Sequence, residues 1–474
     1  MNQQEFNGLN ALVENSLQLH DDHVHVTDEP KLRTHIRKLA RAAALETGKT
    51  AALARWLIRQ TAGSLGIHPA SIHDLYMARG RGEVPANFTV PAMNLRILTF
   101  DAASAIFRNT LKINAGAFIF EIARSEISYS SQRPSEYSAS ILAAAIAEGY
   151  RGPVFIQGDH FQISANRYKA NAETEVQGVK DLTAEAIAAG FFNIDVDTST
   201  LVDLDQPTVP EQQALNSRLS AEMTAYIRSL EPGSITVSVG GEIGEVGGRN
   251  SNEAELRAYT EGYNTMLANL APGKPGLSKI SIQTGTSHGG VVLADGSIAE
   301  VSVDFATMLS LSRIARLEYG MAGAVQHGAS TLPQDAFGKF VEHEACEVHL
   351  ATNFQNIFFD LAPKTLLNEM YAFLDQNHAN EKKEGMTAEQ FYYKTRKNAI
   401  GVFKAHQWDL PAEDLAKITQ AWDSQFAMLF ERLNIKDTKP HVRHVLVAPV
   451  APDLKAYLAA AGVTGDSNTS DLSD

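Results

Sequence analysis

The chain of 474 residues has a single cysteine, Cys346, and too few basic residues to balance its acidic ones. One cysteine cannot form an internal disulfide bond, and a zinc site built from four cysteines is excluded. The 41 lysines and arginines face 55 aspartates and glutamates, and the net charge of −14 argues against a general nucleic-acid binder. A locally positive phosphate site remains compatible with an acidic protein.

Long apolar runs are absent as well. No run reaches the ~18 apolar residues of a membrane-spanning helix. The start of the chain, MNQQEFNGLN, lacks the basic and apolar segments of a secretory signal. The 44% hydrophobic and 20% charged residues are typical of a globular enzyme. We therefore expect a soluble, cytoplasmic protein with neither a membrane nor a nucleic acid as partner.

Four regions differ in pattern. Residues 1–86 contain two stretches of strong helix formers and are predicted to form an N-terminal helical extension. Residues 87–360 alternate short apolar runs with longer amphipathic segments. Residues 361–461 again have a helical pattern, and the polar tail 462–474 is predicted to be disordered.

The central region contains apolar runs with the character of buried parallel strands, separated by helical segments. Eight βα units of this kind predict a TIM barrel flanked by the two helical regions, and an open doubly wound sheet is the alternative. The runs are residues 88–94, 117–123, 153–160, 191–197, 234–242, 279–285, 322–328 and 347–353.

Three histidines follow three of these candidate strands, and in a TIM barrel the carboxyl ends of the strands form the active-site rim. A catalytic zinc site takes three protein ligands and keeps a position open for substrate. His160, His288 and His327 could supply that set. The alternative is that each histidine is a structural residue at the barrel end.

Carboxylates lie at the same rim. Asp159 precedes His160 directly and is placed to move protons on a metal-bound substrate, or to orient a histidine. Glu242 ends the fifth candidate strand and is interpreted as a further ligand, a proton donor or half of an ion pair. Asp195 and Asp197 are two apart and share a strand face, where one could bind a second cation or substrate hydroxyls, or both could form salt bridges in the barrel mouth.

Glycine-rich turns follow the fifth to seventh candidate strands. Backbone N–H groups in such turns cradle phosphate, and the loops after the last two strands are the usual phosphate position in this fold. The turns are Gly247-Gly248, Gly289-Gly290 and Gly328-Ala329-Ser330.

Taken together, these motifs resemble those of the class II, metal-dependent aldolases that act on fructose and tagatose bisphosphates. The resemblance covers about residues 87–354. Its motifs are PAMN at 91–94, GDH at 158–160, EIG with GG at 242–248, GTSHGG at 285–290, HGAS with a proline at 327–333, and VHLATN at 348–353.

The resemblance implies zinc held by His160, His288 and His327, with Asp159 as the catalytic acid/base and Glu242 near the metals. It also implies phosphate binding by Gly289, Gly328, Ser330 and Thr352, and we add Asn94 and His349 as candidate substrate-binding residues. The implied reaction cleaves or forms the C3–C4 bond of a ketose phosphate through a zinc-stabilised enediolate. Such aldolases are usually homo-oligomers.

Departures from the family pattern leave the substrate open. His349 stands where the family usually has a substrate-contacting asparagine, and Val291-Val292 replaces a frequent lysine. The mobile family glutamate is absent or has moved to Glu253 or Glu255. Fructose 1,6-bisphosphate, tagatose 1,6-bisphosphate and other ketose phosphates therefore remain alternatives.

Three other classes of protein and one further metal site are alternatives. A Schiff-base aldolase needs a lysine at a strand end, and Lys279 instead begins the sixth candidate strand. A non-catalytic aldolase-like subunit could lose its metal ligands, which are present here. A different metal enzyme on the same fold, such as an isomerase, is a third rival. The cluster HDDHVH at 20–25 could bind metal but is interpreted as a surface segment.

Overall fold

The computed structural model describes residues 1–20, 23–244, 249–286, 303–330, 332–463, 469 and 471–472. Its strands are β1 Leu17–His20, β2 His23–Val26, β3 Ile67–Ala70, β4 Val90–Asn94, β5 Ile119–Ala123, β6 Gly152–Gln162, β7 Asn193–Asp197, β8 Ser238–Glu242, β9 Lys279–Ile282, β10 Ala324–Gln326 and β11 Glu347–Leu350.

The helices before the sixth barrel strand are α1 Gln3–Ala11, α2 Glu29–Leu45, α3 Gly48–Ser64, α4 His73–Gly80, α5 Thr99–Lys112, α6 Arg124–Tyr129, α7 Pro134–Glu148, α8 Ala165–Ala170, α9 Ala172–Ala189, α10 Val209–Leu230 and α11 Glu253–Leu270. The later helices are α12 Phe305–Leu317, α13 Ala336–Glu342, α14 Thr352–Leu361, α15 Lys364–Asn377, α16 Ala388–Thr395, α17 Lys404–Trp408, α18 Ala412–Arg432 and α19 Leu454–Ala460. No helix of the described chain combines the length and the apolar character needed to cross a bilayer.

Strands β4 to β11 form a closed parallel barrel, which confirms the predicted TIM fold. Neighbouring strands follow the order β6-β5-β4-β11-β10-β9-β8-β7, and β7 pairs with β6 to close the ring. Each of the eight predicted apolar runs overlaps one of these strands, and β6 extends beyond its run at both ends. The open-sheet alternative is wrong because the pairing Gln157↔Asn193 joins the two ends.

The N-terminal extension is helical as predicted but also contains three strands that the sequence pattern did not reveal. β1 and β2 form an antiparallel hairpin, and β3 adds in parallel to the amino end of β6, with Ile67 opposite Gly152. The Asn193 side chain accepts from the Ile72 N–H at 2.8 Å and donates to the Ala70 carbonyl at 3.2 Å. Residues 67–80 are thereby joined to the base of the barrel.

Helix α4 packs across that base. Leu75 and Tyr76 are buried with Val90, Ile119 and Val325 in an apolar cluster distinct from the main core. Full burial of each such side chain contributes about 1.5–3 kcal/mol. The helix therefore stabilises the amino-terminal end of the barrel and leaves the carboxyl end free for chemistry.

Gly80→Ala tests this packing, and we expect it to destabilise the fold. A Cβ at Gly80 would lie 2.0 Å from the Gly320 carbonyl oxygen and 2.9 Å from that of Met321, so backbone must move. Overpacking of this kind lowers the free energy of unfolding by about 1–3 kcal/mol, which urea denaturation measures as a lower midpoint. Gly338→Ala is the control, because no atom lies within 4 Å of its added Cβ. An unchanged midpoint for Gly80→Ala would contradict this packing.

The C-terminal region is helical, as predicted, and belongs to the same core. Trp422 of α18 is buried, and its Nε1 donates to the Phe354 carbonyl in α14 at 3.0 Å. Most of the tail predicted to be disordered lies outside the described residues. Asp471, which is described, accepts hydrogen bonds from Ser164 at 2.5 Å and from Arg167 at 2.9 Å.

Candidate active site

The carboxyl end of the barrel brings together most of the predicted site residues that the structure describes. His160, Glu242 and His327 each offer a donor atom within 4.8 Å of the other two, and so do Asp159, His327 and His349. All five side chains are buried. His288 and Gly289 lie outside the described residues, as does Gly247-Gly248.

An irregularity in β6 explains how two consecutive residues reach one site. Side chains of a regular strand alternate between faces, so Asp159 and His160 would point apart. The register with β7 advances from Gly158↔Ile194 to Phe161↔Val196, which places one extra residue in β6. His160 takes a left-handed φ of 39°, a conformation that non-glycine residues rarely adopt and that is common at functional sites. The bulge turns the His160 ring toward Glu242.

The three imidazoles lie side by side among carboxylates. Ring centroids are 4.2 Å apart for His160 and His327, and 4.0 Å apart for His327 and His349. Asp159 Oδ1 is 3.5 Å from His327 Nε2 and 3.2 Å from His349 Nδ1. His160 Nδ1 is 3.4 Å from Glu242 Oε2. Imidazole nitrogens and carboxylate oxygens are the ligands that zinc takes in catalytic sites.

Burial and neighbouring charges shift the pKa values of these groups in opposite directions. Burial opposes charge on His160 and His349, but neighbouring carboxylates raise the pKa of both imidazoles well above the ordinary value. Burial, together with the positive charges of His349 and His160, lowers the pKa of His327. Burial works against ionised Asp159, yet His160 and His349 hold its pKa well below the ordinary value. Asp159 is therefore held as an anion at neutral pH.

Glu242 has a different character. Burial first, and the negative charge of Asp197 second, raise the pKa of Glu242 to about 7. Asp197 itself, despite its burial, has its pKa lowered to about 2 by the hydrogen bond and charge of His160. Glu242 is thus the carboxyl group at this rim that is poised to carry a proton near neutral pH.

A second polar layer lies beneath the rim, where TIM barrels usually have branched apolar side chains. Lys279 Nζ is 2.9 Å from Asp195 Oδ2, 2.5 Å from Glu347 Oε1 and 2.7 Å from Gln157 Oε1. Tyr76 in α4 donates to the other oxygen of Glu347. His349 Nε2 lies 2.7 Å from Glu347 Oε1, so this layer is continuous with the rim.

This layer changes the interpretation of two predicted residues. Asp195, predicted as a ligand for a second cation or as part of a salt bridge, is paired with the Lys279 ammonium. Glu121, Glu347 and His349 also form a donor group, but Lys279 already supplies positive charge to Glu347 there. Lys279 begins β9, as predicted, yet its side chain extends into the barrel. Glu347 and His349 are two residues apart on one strand and so share a face. This spacing was the sequence signal that could have predicted the polar layer.

The predicted substrate-binding residues are distributed around the rim. Asn94 Nδ2 donates to Glu126 Oε2 at 2.5 Å, and Ser330 Oγ accepts from the Ala351 N–H at 2.7 Å. Thr352 is the first residue of α14, next to Ser330 in space, and Gly328 has a φ of 67° that favours glycine. His349 contacts Asp159, which the sequence pattern did not reveal.

Comparison with known proteins identifies the class of enzyme to which this barrel and its donor groups belong. Residues 85–407 match the family model described as fructose-bisphosphate aldolase class-II. The match spans more than half of the 474 residues, and the chain belongs to that family. It is accordingly an aldolase, a carbon–carbon lyase. No curated protein sequence matches it.

Several solved structures are similar at low identity. A protein from Coccidioides immitis assigned as a fructose-1,6-bisphosphate aldolase has 16% identity and a TM-score of 0.45, covering 78% of this chain and 98% of its own. The fructose-bisphosphate aldolase of Campylobacter jejuni has 16% identity and a TM-score of 0.44, covering 77% and 94%. A Sinorhizobium meliloti protein assigned as a tagatose 6-phosphate kinase has 16% identity and a TM-score of 0.49, covering 79% and 97%.

Proposed function

We propose that this aldolase is zinc-dependent and cleaves or forms the C3–C4 bond of a ketose bisphosphate such as fructose 1,6-bisphosphate. The observation that carries the proposal is the buried group of His160, His327 and Glu242 beside an anionic Asp159. A metal ligand set and a base within one side-chain layer are what a retro-aldol reaction requires.

The donors fit zinc. His160 and His327 would hold it, with His288 as the expected third ligand and Glu242 within reach of the same position. Bound zinc acts as a Lewis acid that polarises the carbonyl of the substrate.

The chain's own residues handle the proton. Asp159 is ionised and lies against the His349 and His327 rings, where it would accept the proton of the C4 hydroxyl as the bond breaks. Glu347 and Glu121 contact the His349 ring and orient it, so His349 holds the Asp159 carboxylate in place. In the synthetic direction Asp159 returns the same proton.

Phosphate binding is proposed at the start of α14. A helix amino terminus presents free N–H groups and a positive dipole end to anions. Ser330, which contacts the Ala351 N–H, together with Gly328 and Thr352, would contribute to this site. His349 stands where the family usually has a substrate-contacting asparagine, so tagatose 1,6-bisphosphate is kept as a second candidate substrate. Triose phosphate release from a panel of ketose mono- and bisphosphates would distinguish the candidates.

Chelation tests the metal. EDTA is expected to abolish triose phosphate release, and added zinc or cobalt to restore it, because the histidines would hold a required Lewis acid. EDTA presaturated with zinc is the control for effects of the chelator itself. Full activity in protein stripped of metal would contradict the proposed mechanism.

Borohydride tests the covalent alternative. The carboxylates around Lys279 outweigh the effect of burial and raise its pKa above the ordinary value, so its amine stays protonated and is a poor nucleophile. We expect no adduct by mass spectrometry after reduction in the presence of substrate. An adduct on Lys279 would show a Schiff-base mechanism instead.

A further inference from the structure

A second site lies far from the barrel mouth, in a cavity of about 480 Å³ between the hairpin β1–β2, helix α3, strand β3 and the segment 449–452. The proposed aldolase chemistry makes no use of this cavity. His68 on its wall pairs with Pro153 at the amino end of β6, whereas Asp159 lies at the carboxyl end of that strand. Six residues of strand separate them, a distance of roughly 20 Å.

Arg59 places a buried positive charge on the wall of this cavity. Only 4% of its surface is exposed, and it lines the cavity. Its Nη1 donates to the Ala188 carbonyl at 3.0 Å and to the Tyr457 hydroxyl at 3.3 Å, and both partners are uncharged. Its Nε has no acceptor among the described residues. A guanidinium buried without a counter-charge is costly unless an anion neutralises it.

Other buried arginines of this chain bond a carboxylate or several carbonyl oxygens. Arg55, Arg124 and Arg228 each bond a carboxylate, with distances of 3.4, 2.5 and 2.5 Å. Arg79, which has no such carboxylate, donates to three carbonyl oxygens instead. Arg79 likewise has an Nε without an acceptor among the described residues, so what sets Arg59 apart from Arg79 is its place on the wall of a cavity, with two neutral acceptors.

The rest of the cavity wall is basic or neutral. His23 and His25 lie two residues apart on one face of β2, and the buried Val24 between them also lines the cavity. His68, Gln60 and Ser64 add hydrogen-bonding groups, and no described lining residue is acidic. In a protein of net charge −14 such a wall is a local exception. His23 and His25, which belong to the HDDHVH cluster noted in the sequence, thus lie on the wall of a cavity.

The opposite wall is apolar and fixed. It consists of Pro449, Val450, Ala451 and Pro452, and the Trp56 Nε1 donates to the Pro452 carbonyl at 3.1 Å. A cavity of this size with an apolar wall and a few convergent polar groups matches the sites that bind small molecules. Arginine is the side chain best suited to phosphate oxygens.

We propose that this cavity is a second ligand site, which binds a phosphate group, either free or as part of a small phosphorylated metabolite, through Arg59 with His68 and the β2 histidines. Its position at the amino end of the barrel separates it from the catalytic residues. The inference does not depend on the reaction proposed above.

The test compares native protein with Gly63→Leu and measures bound inorganic phosphate by equilibrium dialysis. Gly63 lines the cavity, and a Cβ added there would lie 3.9 Å from the His68 ring, so a leucine fills the space without moving the backbone. Gly178→Leu is the matched control, because Gly178 is also a helical glycine with open space around it and lines a different cavity. Arg59→Met is a second variant that removes the charge.

We expect Gly63→Leu and Arg59→Met to lose one equivalent of bound phosphate per chain while Gly178→Leu binds as native protein does. Phosphate held at the barrel mouth is common to all four proteins and cancels in the comparison. A parallel titration with glycerol 3-phosphate distinguishes the sources, since a phosphorylated metabolite predicts tighter binding of the ester and free phosphate predicts weaker binding. Equal phosphate binding by native protein and Gly63→Leu would overturn the proposal, whether or not Arg59→Met folds.

Discussion

Replacing Asp159 with asparagine is expected to lower kcat by about 10²–10⁴-fold while bound zinc stays near stoichiometric, because general acid–base groups contribute rate enhancements of that size. Asparagine keeps the size and shape of the side chain but cannot accept a hydroxyl proton. The positive neighbours that keep Asp159 ionised, His160 and His349, remain in place. Activity and metal content of the purified variant are the two measurements.

Two comparisons make this result interpretable. His160→Ala removes a proposed ligand and should lose both metal and activity. If Asp159 only orients His327 and His349, the asparagine variant should instead bind zinc about 10–100-fold more weakly, and excess zinc should restore much of the rate. Restoration by zinc would leave the base unassigned, with Glu242 the next residue to test. Asp181→Asn, on the outer helix α9, serves as the control.

Lys279→Met is expected to reduce the free energy of unfolding by about 3–5 kcal/mol, since removing one partner of a buried ion pair leaves the other charge buried and unpaired. Here two carboxylates would lose their partner, because Asp195 and Glu347 both contact the ammonium in the barrel interior. Urea unfolding followed by circular dichroism measures the change. Adding Glu347→Gln to the variant removes one of the stranded charges and should recover part of the stability.

An exposed lysine provides the control for that experiment. Lys49 pairs with Glu5 at 2.5 Å, but it is 62% exposed, so solvent already screens the pair. Lys49→Met should leave the unfolding midpoint nearly unchanged. A loss of less than about 1 kcal/mol in Lys279→Met would contradict the description of the polar layer as a paired network.

The barrel could be predicted from sequence because its signal is local. Each of the eight strands is a short apolar run, and buried parallel strands require little more than that. The three other strands were not predicted. β1 and β2 alternate apolar and polar residues, which was an available signal for strands with one buried face, whereas β3 contains a proline and lacks such a pattern. Their pairing depends on distant partners such as Gly152.

The rim was predictable for a similar reason, and the layer beneath it was not. His160, His327 and Glu242 follow apolar runs, so the fold rule alone places them at one end. The bulge that turns His160 inward is a matter of register between β6 and β7, which no single segment encodes. The contact of Lys279 with Glu347 joins residues 68 apart along the chain. Such pairs become visible only in three dimensions.

Helix α4, which packs across the base of the barrel, also limits how the barrel can be separated from the preceding segment or transferred to another chain. The segment that matches its family begins at residue 85, yet Tyr76 and Arg79 precede it. Arg79 donates to the carbonyls of Phe88 and Ala345, and Tyr76 donates to Glu347 inside the barrel. A barrel excised at the family boundary, or grafted into another chain, would therefore lose its base and expose a charged interior.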